Sequence, residues 1–412
     1  MNYTKILQGI LDIGEAMLKS GAENFRIEDS LYRMCRSYGF TRYDVFVIPS
    51  NIQITIETPD GEILTQIRHI ETVSTDFDLL HHLNKLSRYV CAHTPNEKEL
   101  HQKYLDTMNR IPQHPAIQYV ATVMGGTGFA VFFGCGFTDA VVAAIASVML
   151  VIAGNWLSKR ESNLLIYNMI LSFLSEVLIV VLVRLGIGVH PERIMLGMVM
   201  LLISAIGTTN GIRDLLQRDF ISGLINILNS FLGAAGIAFG IALAMLLLLN
   251  EVSSEGAALN TNILIQLISC TIGCTGFALC FKIRGRQVLF SSVGAFLTWG
   301  IYLLVYHFNP SNFLATLTAA VFVGFYAFAM SRINKAPSTI FLTASVLPLI
   351  PGSALYYMMY GYVSGNKEMA MVKTNSLLTT CLAIALGFLI VDVASRYLMT
   401  ALNRDYHIGK HS

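Results

Sequence analysis

Two regimes of hydrophobic spacing run along this chain. Over residues 3–19, Ile6, Leu7, Ile10, Leu11, Ile13, Met17 and Leu18 recur on roughly one face at helical spacing, which predicts an amphipathic helix that Ser20-Gly21 breaks. A second helix over 23–38 would bury Phe25, Ile27, Leu31, Met34 and Cys35 and end at Gly39. The period then switches to two. Val45, Val47, Ile52, Ile54 and Ile56 alternate with Gln53, Thr55 and Glu57, as in strands with one wet face. Thr58-Pro59-Asp60-Gly61 has the residues of a tight turn, and Ile63–His69 reads as the return strand. Two further helices, near 76–92 and 96–110, complete a small α+β domain that closes at the Pro112–Pro115 linker.

Beyond the linker the alternation disappears and long apolar runs take over. A membrane-spanning helix needs about 20 mostly apolar residues. Ten stretches qualify as candidates: 117–134, 137–157, 163–187, 194–211, 219–249, 262–282, 287–307, 312–333, 339–360 and 372–400. Composition agrees: 54% of residues are hydrophobic and 13% charged, against about 25% charged in soluble domains, and the mean hydropathy is +0.58. Residues 1–116 hold 12 Lys/Arg and 15 Asp/Glu, leaving 16 and 11 for the apolar remainder. A net charge of +2 is too small to imply a polyanionic partner, so no nucleic acid is expected. The seven scattered cysteines read as reduced thiols among apolar neighbours. Asp12 and Glu15 interrupt the first apolar run, which argues against a signal peptide.

Orientation follows from the basic residues. With the front domain in the cytosol, the cytosolic loops and tail hold Lys159, Arg160, Arg213, Arg218, Lys282, Arg284, Arg286, Arg332, Lys335, Arg396, Arg404 and Lys410, while the outer loops hold Arg184, Arg193, Lys367 and Lys373. Both termini are therefore expected in the cytosol, in a cell (cytoplasmic) membrane, with aromatic belts at Trp299, Tyr302 and Tyr306 and at Tyr356-Tyr357 to Tyr362. The spans also repeat at an offset of 145 residues, 117 onto 262 and 194 onto 339. Ser204-Ala205-Ile206-Gly207 matches Leu349-Ile350-Pro351-Gly352, Ile221-Ser222-Gly223 matches Val363-Ser364-Gly365, and Ile237-Ala238-Phe239-Gly240 matches Ile384-Ala385-Leu386-Gly387. Five spans per copy would invert the second copy, a common plan of secondary transporters. The expected organisation is a cytosolic α+β domain at 1–115, then an all-α polytopic membrane domain in a 5+5 inverted repeat, its halves at 116–250 and 251–412.

The residues carry a family likeness. Ser20-Gly21-Ala22-Glu23 with Arg26 and Glu28, the strand Val45-Phe46-Val47-Ile48-Pro49, and Asn210-Gly211-Ile212-Arg213-Asp214 through Asp219-Phe220-Ile221-Ser222-Gly223 resemble the threonine/serine exporter family. The second half, with Pro348, Pro351-Gly352 and Tyr356, resembles that family's C-terminal partner domain. In some relatives the halves are separate polypeptides, one such pair being associated with succinate export; here they are fused. Arg218 departs from the pattern, where a small residue is expected before the acid. The resemblance implies a secondary active exporter of small hydrophilic amino acids, threonine and serine first, driven by the proton motive force. The alternatives are an exporter of small dicarboxylates such as succinate and a membrane-tethered, hydrolase-like enzyme. The partners it implies are a small-molecule substrate and the lipid bilayer, with a homo-oligomer left open.

Exporting a zwitterion needs partners for a carboxylate and an ammonium group, and proton coupling needs a buried acid. The richest stretch is Gly207-Thr208-Thr209-Asn210-Gly211, which loosens a span and precedes Arg213, Asp214, Arg218 and Asp219. Ser222, Asn226, Asn229 and Ser230 continue as a polar stripe at helical spacing. Its repeat mate is Pro348 to Gly352, where two prolines force a discontinuity, followed by Lys373, Thr374, Asn375 and Ser376. Paired interruptions at matching places point to a transport site. Candidate substrate ligands are Asn210, Arg213, Asp214, Asp219, Ser222, Asn226, Asn229, Pro351, Gly352, Lys373 and Asn375; Lys373 would meet a carboxylate, and Asp214 or Asp219 an ammonium. Glu176, in the middle of an apolar span, is the sharpest candidate for proton coupling, with Asp139 second. Six of ten histidines lie in the front: His69, His81, His82, His93, His101 and His114. Asp78/His82 and Glu97/His101 stand four apart, a spacing that suits surface ion pairs better than a metal. No nucleophile elbow, P-loop or paired-cysteine motif is present, so no catalytic residue, cofactor or metal is expected.

Overall fold

The computed structural model describes residues 2–70, 74–203, 205–216, 218–248 and 259–408. Ser204 of the repeat alignment, positions 251–258 of the expected outer loop, and Lys410 lie outside these residues. The chain divides into two units.

The first unit comprises residues 1–114 with the segments 281–285 and 331–340. Its helices are α1 (Tyr3–Lys19), α2 (Asn24–Ser37), α3 (Phe77–His93) and α4 (Glu97–Met108). A three-stranded antiparallel meander, β1 (Arg42–Ile48), β2 (Asn51–Glu57) and β3 (Ile63–His69), lies between α2 and α3 in sequence. The register Val45 to Ile54 and Val47 to Ile52 puts Val45, Val47, Ile52, Ile54 and Ile56 on the buried face. There they meet a core to which α1 contributes Ile6, Leu7, Ile10, Leu11, Ile13, Met17 and Leu18. Gly21 and Gly39 both take a left-handed backbone, φ +86° and +74°, which ends each helix as the sequence suggests. Phe25 is a correction: it sits in the first turn of α2, 38% exposed, with the Arg26 guanidinium 5.2 Å from its ring centroid.

The two later segments are tied to this unit by specific bonds. Phe77 N donates to Phe281 O at 3.0 Å, and Lys282 Nζ meets Asp76 at 2.8 Å. Arg284 pairs with Asp78 at 3.5 Å, and Arg26 donates to Ser338 Oγ at 2.6 Å.

The second unit is helical. It runs through α5 (Pro115–Phe132), α6 (Phe137–Leu157), α7 (Leu164–Arg184), α8 (Pro191–Leu202), α9 (Ala205–Leu216), α10 (Phe220–Leu248), α11 (Ile263–Cys280) and α12 (Arg286–Phe308). α13 (Asn312–Ile333), of which residues to Met330 belong to this unit, α14 (Ser338–Val346), which belongs to it from Phe341, α15 (Gly352–Val363) and α16 (Lys367–Ile408) follow. Among the described residues, seven helices are long and apolar enough to cross a membrane: α6, α7, α10, α11, α12, α13 and α16. The count rises to nine if each of two bent pairs is one span. The stretches 194–211 and 339–360 are not straight spans. Pro191–Leu202 and Gly207–Leu216 meet at 51°, and Ser338–Leu349 and Gly352–Val363 at 56°. α5 is helical over 18 residues but outside the apolar set, because Gln118, Tyr119 and Gly125-Gly126-Thr127-Gly128 dilute it.

Glycines set the closest helix contacts. α5 and α11 run antiparallel, with Asn260 N donating to Phe132 O at one end and Thr122 Oγ1 3.8 Å from Cys280 Sγ at the other. Between these ends, a Cβ on Gly128 would lie 2.6 Å from Gly273 Cα, so neither position admits a larger residue without movement. Gly128 and Gly273 are 145 residues apart, the offset of the sequence repeat. The aligned pair Gly240 and Gly387 is used alike: Gly240 packs on Met169 and Ser172 of α7, and Gly387 on Ala320 and Val321 of α13.

Candidate functional site

The two bent pairs bring their breaks together. α8 ends at Leu202, and Ile203 is extended at φ −81°, ψ 131°. In the other half, Leu347–Leu349 form a single 3-10 turn, Ile350 is extended, and α15 starts at Gly352 after Pro351. Proline at 348 and 351 removes two backbone donors and prevents one continuous helix. A Cβ on Gly352 would lie 2.8 Å from Met200 Sδ and 3.2 Å from Ile203 Cγ2. The second break is therefore seated on the first.

Polar side chains cluster on α9 and the start of α10. α9 continues to Leu216, so Arg213 and Asp214 stand on a helix rather than in a solvated loop. Arg213 is 5% exposed, and its guanidinium is 4.0 Å from Asp214. Asn226 Nδ2 donates to Asp214 Oδ2 at 3.0 Å, joining α10 to α9 where Gly211 and Gly223 let the two backbones approach. Asp219 caps α10 by accepting from Ser222 N at 3.2 Å. Arg218, just before it, has φ +71°, the left-handed region that a side chain enters at a cost of about 1 kcal/mol or more. That backbone accounts for a small residue being expected at this position. Thr209 Oγ1 lies 3.9 Å from Cys381 Sγ of α16. The buried Thr208 hydroxyl has no hydrogen-bond partner.

The other candidates are spread more widely. Lys373 is half-buried at the start of α16, with Nζ 5.3 Å from the centroid of the Tyr357 ring on α15. Asn210 is half-buried, whereas Asn229 and Asn375 are exposed, so the structure does not gather those two with the others.

Glu176 and Asp139 differ sharply. Asp139 is buried, and its oxygens accept from Val189 N at 2.7 Å, His190 N at 3.3 Å, His190 Nδ1 at 3.0 Å and Gly136 N at 3.4 Å. It staples the loop before α8 to the start of α6. Glu176 is 1% exposed, and neither carboxyl oxygen has a hydrogen-bond partner. The polar residues flanking it on α7 are committed elsewhere: Ser172 to Met169 O, Ser175 to Leu171 O, and Asn168 to Gly233 O of α10. Among the described residues, Glu192, at the start of α8, and Tyr356 and Tyr360 of α15 interact electrostatically with Glu176. Sequence reasoning placed these tyrosines in an interfacial belt; only their helical spacing could have put them on one face.

The front unit offers less chemistry. His82 Nε2 is 3.9 Å from Asp78, which Arg110 and Arg284 also approach. Among the described residues, no group of three or more His, Cys, Asp and Glu side chains is placed to hold a metal. Burial, helped by the nearby Lys85 and His82, pushes the His81 imidazole down to about 4.

Several apolar helices, two of them carrying buried acids, together with two bent pairs whose breaks meet, define a multi-pass membrane protein. The family model for threonine/serine exporters matches residues 8–248, and a second, described as "Threonine/Serine exporter", matches 266–394. The chain belongs to the threonine/serine exporter family. It is similar to a Mycobacterium tuberculosis protein named "Probable threonine/serine exporter", 23% identical over 404 residues that cover 94% of this chain and 76% of that protein. It is also similar to the threonine/serine exporter of Corynebacterium glutamicum, 21% identical over 402 residues that cover 94% and 81%. No solved structure matches it.

Proposed function

We propose that this chain exports small hydrophilic amino acids, threonine and serine first, across the cytoplasmic membrane and that the proton motive force drives it. The seating of Gly352 on Met200 and Ile203 carries this reading, because broken spans that meet leave backbone groups lipid could not satisfy. The relatives' names supply the substrate class. In this reading α5 is the first of ten spans in a 5+5 inverted repeat, supported by the Gly128–Gly273 crossing at the repeat offset. The distribution of Lys and Arg supports both termini being cytosolic. The substrate carboxylate meets Lys373 and the Thr208 hydroxyl, and Glu176 carries the proton. Asp214 and Asp219 are already engaged by Asn226 and the α10 cap, which leaves them poorly placed to take the ammonium.

Uptake of labelled threonine, serine and succinate into inverted vesicles, with and without a protonophore, tests the proposal. Threonine and serine should accumulate, and the protonophore should abolish the accumulation. Accumulation of succinate alone would overturn the substrate class, and protonophore-insensitive accumulation would overturn the coupling.

A further inference from the structure

We infer that the Glu176 carboxylate is the ligand of the substrate's ammonium group, and that proton and ammonium occupy it in alternation. The inference rests on the exporter reading and assigns to one residue the two roles that reading leaves apart.

The argument starts from an uncompensated group. A carboxylate that is 1% exposed with no hydrogen bond is costly to leave charged, so something must neutralise it. Among the described residues, no cation is bonded to it. α10, packed along α7, has no charged residue from Phe220 to Leu248. α15 has none from Gly352 to Val363, only tyrosines. On α6 the one charged residue, Asp139, is bonded to His190 and backbone amides. On α8, Glu192 adds negative charge, and Arg193 donates to Gly134 O. On α7 itself, Arg184 donates to Leu248 O, and Tyr167 is the one further titratable side chain.

The surroundings fit an organic ammonium. Tyr356 and Tyr360, whose rings stack with centroids 5.9 Å apart, both interact electrostatically with Glu176, and a poorly hydrated cation is attracted by such rings and accepted by such hydroxyl oxygens. Both lie on the helix that starts at the second break, one and two turns beyond Gly352.

The exchange balances. The protonated carboxyl gives its proton to water, and the resulting carboxylate accepts an N–H bond from the incoming ammonium, whose own protons stay in place. On the far side, a proton from water displaces the ammonium. Binding one substrate releases one proton, so coupling needs no second acid.

Titration calorimetry of the purified full chain in lipid nanodiscs tests this, using L-threonine in two buffers of different ionisation enthalpy to count protons. Wild type should release about one proton per threonine, and over the pH range of release the affinity should fall roughly tenfold per unit of acidification. 3-Hydroxybutyrate, which lacks the ammonium, should release none. Glu176→Gln should bind threonine at least tenfold more weakly without proton release, and Glu176→Asp should weaken binding but keep the release. Wild-type affinity and proton release in Glu176→Gln would overturn the inference alone. Proton release by sodium chloride but not by threonine would overturn it in favour of a metal cation. Absence of any threonine or serine binding by wild type would overturn the exporter reading with it.

Discussion

The crossing of α5 and α11 sets a sharp test of the packing. Gly128→Ala adds a methyl group 2.6 Å from Gly273 Cα and 2.8 Å from Ser269 O. Ordinary carbon contacts lie at about 3.5–4.0 Å, so the helices must part by roughly 1 Å. The atoms it meets are backbone, which cannot swing aside. Such a gap forfeits a quarter to a half of the contact energy along the seam, and overpacking of this kind costs about 1–3 kcal/mol. Gly273→Ala meets the Phe129 ring at 2.9 and 3.0 Å, and a ring can yield, so its cost should be smaller. Gly300→Ala meets only Leu267 Cδ2 at 3.9 Å, an ordinary contact, and removing a helical glycine there should be neutral or gain up to about 1 kcal/mol. The assay is thermal unfolding of the full chain in detergent, followed by Trp299 fluorescence. That ring packs edge-on to Phe132, at the end of α5, with centroids 5.0 Å apart. The melting temperatures should rank Gly128→Ala lowest, then Gly273→Ala, then Gly300→Ala. A Gly128→Ala protein as stable as wild type would refute the geometry.

Three further outcomes are expected. In a cysteine-free background, a single cysteine at Asn309 should label from outside the cell and one at Ser158 or Gly285 should not; the reverse pattern would invert the topology. Asn226→Ala strips Asp214 of its 3.0 Å donor and should lower stability by about 1–3 kcal/mol, whereas Asn375→Ala, at an exposed position, should leave stability unchanged in the same unfolding assay. His81 titrates near 4 in the folded protein and near 6.5 unfolded, so the unfolded chain binds the extra proton between those values. Its contribution is thus fully present above about pH 6.5 and is lost as pH falls toward 4. Hydrogen exchange of α3 should accelerate over that window, less so in His81→Gln, and equal acceleration in both proteins would assign the effect elsewhere.

Much of this fold was legible in the sequence because each element follows a local rule. The strand alternation from Val45 to Ile56 and the glycine stops at 21 and 39 needed no tertiary information. So did the prolines at 348 and 351, which marked a break wherever the span lay. What was hidden depends on packing. Gly207 to Gly211 reads as a loosened end, yet the stretch is helical because α10 and α16 hold it. The bond from Arg26 to Ser338 joins positions that no periodicity relates. The candidate site divides the same way. Asp214 and Asn226 were visible as polar residues at helical spacing, and their bond was not. Tyr356 and Tyr360 were hidden because tyrosine in an apolar span serves interface and interior equally well.

The buried charges of the membrane unit lead to one remaining step. Among its described residues, three Asp, Glu, Lys or Arg side chains are buried: Asp139, Glu176 and Arg213. Asp139 is matched by a histidine and backbone amides, and Arg213 stands beside Asp214. Only Glu176 is left without a hydrogen bond. A fold that compensates two such charges shows that the means to compensate the third were at hand. An arginine or lysine on α10 or α15 would have silenced it, and neither helix has one. The asymmetry between the two breaks runs the same way. The first leads into α9, where the buried Thr208 hydroxyl has no partner, and the second, stripped of two amides by its prolines, leads into α15 with Tyr356 and Tyr360. A repeat with identical halves would offer a zwitterion two equivalent ends. These halves differ: the first carries Glu176 and the Thr208 hydroxyl, the second Lys373 and the tyrosines of α15, and for a dicarboxylate Glu176 would be a repulsive neighbour.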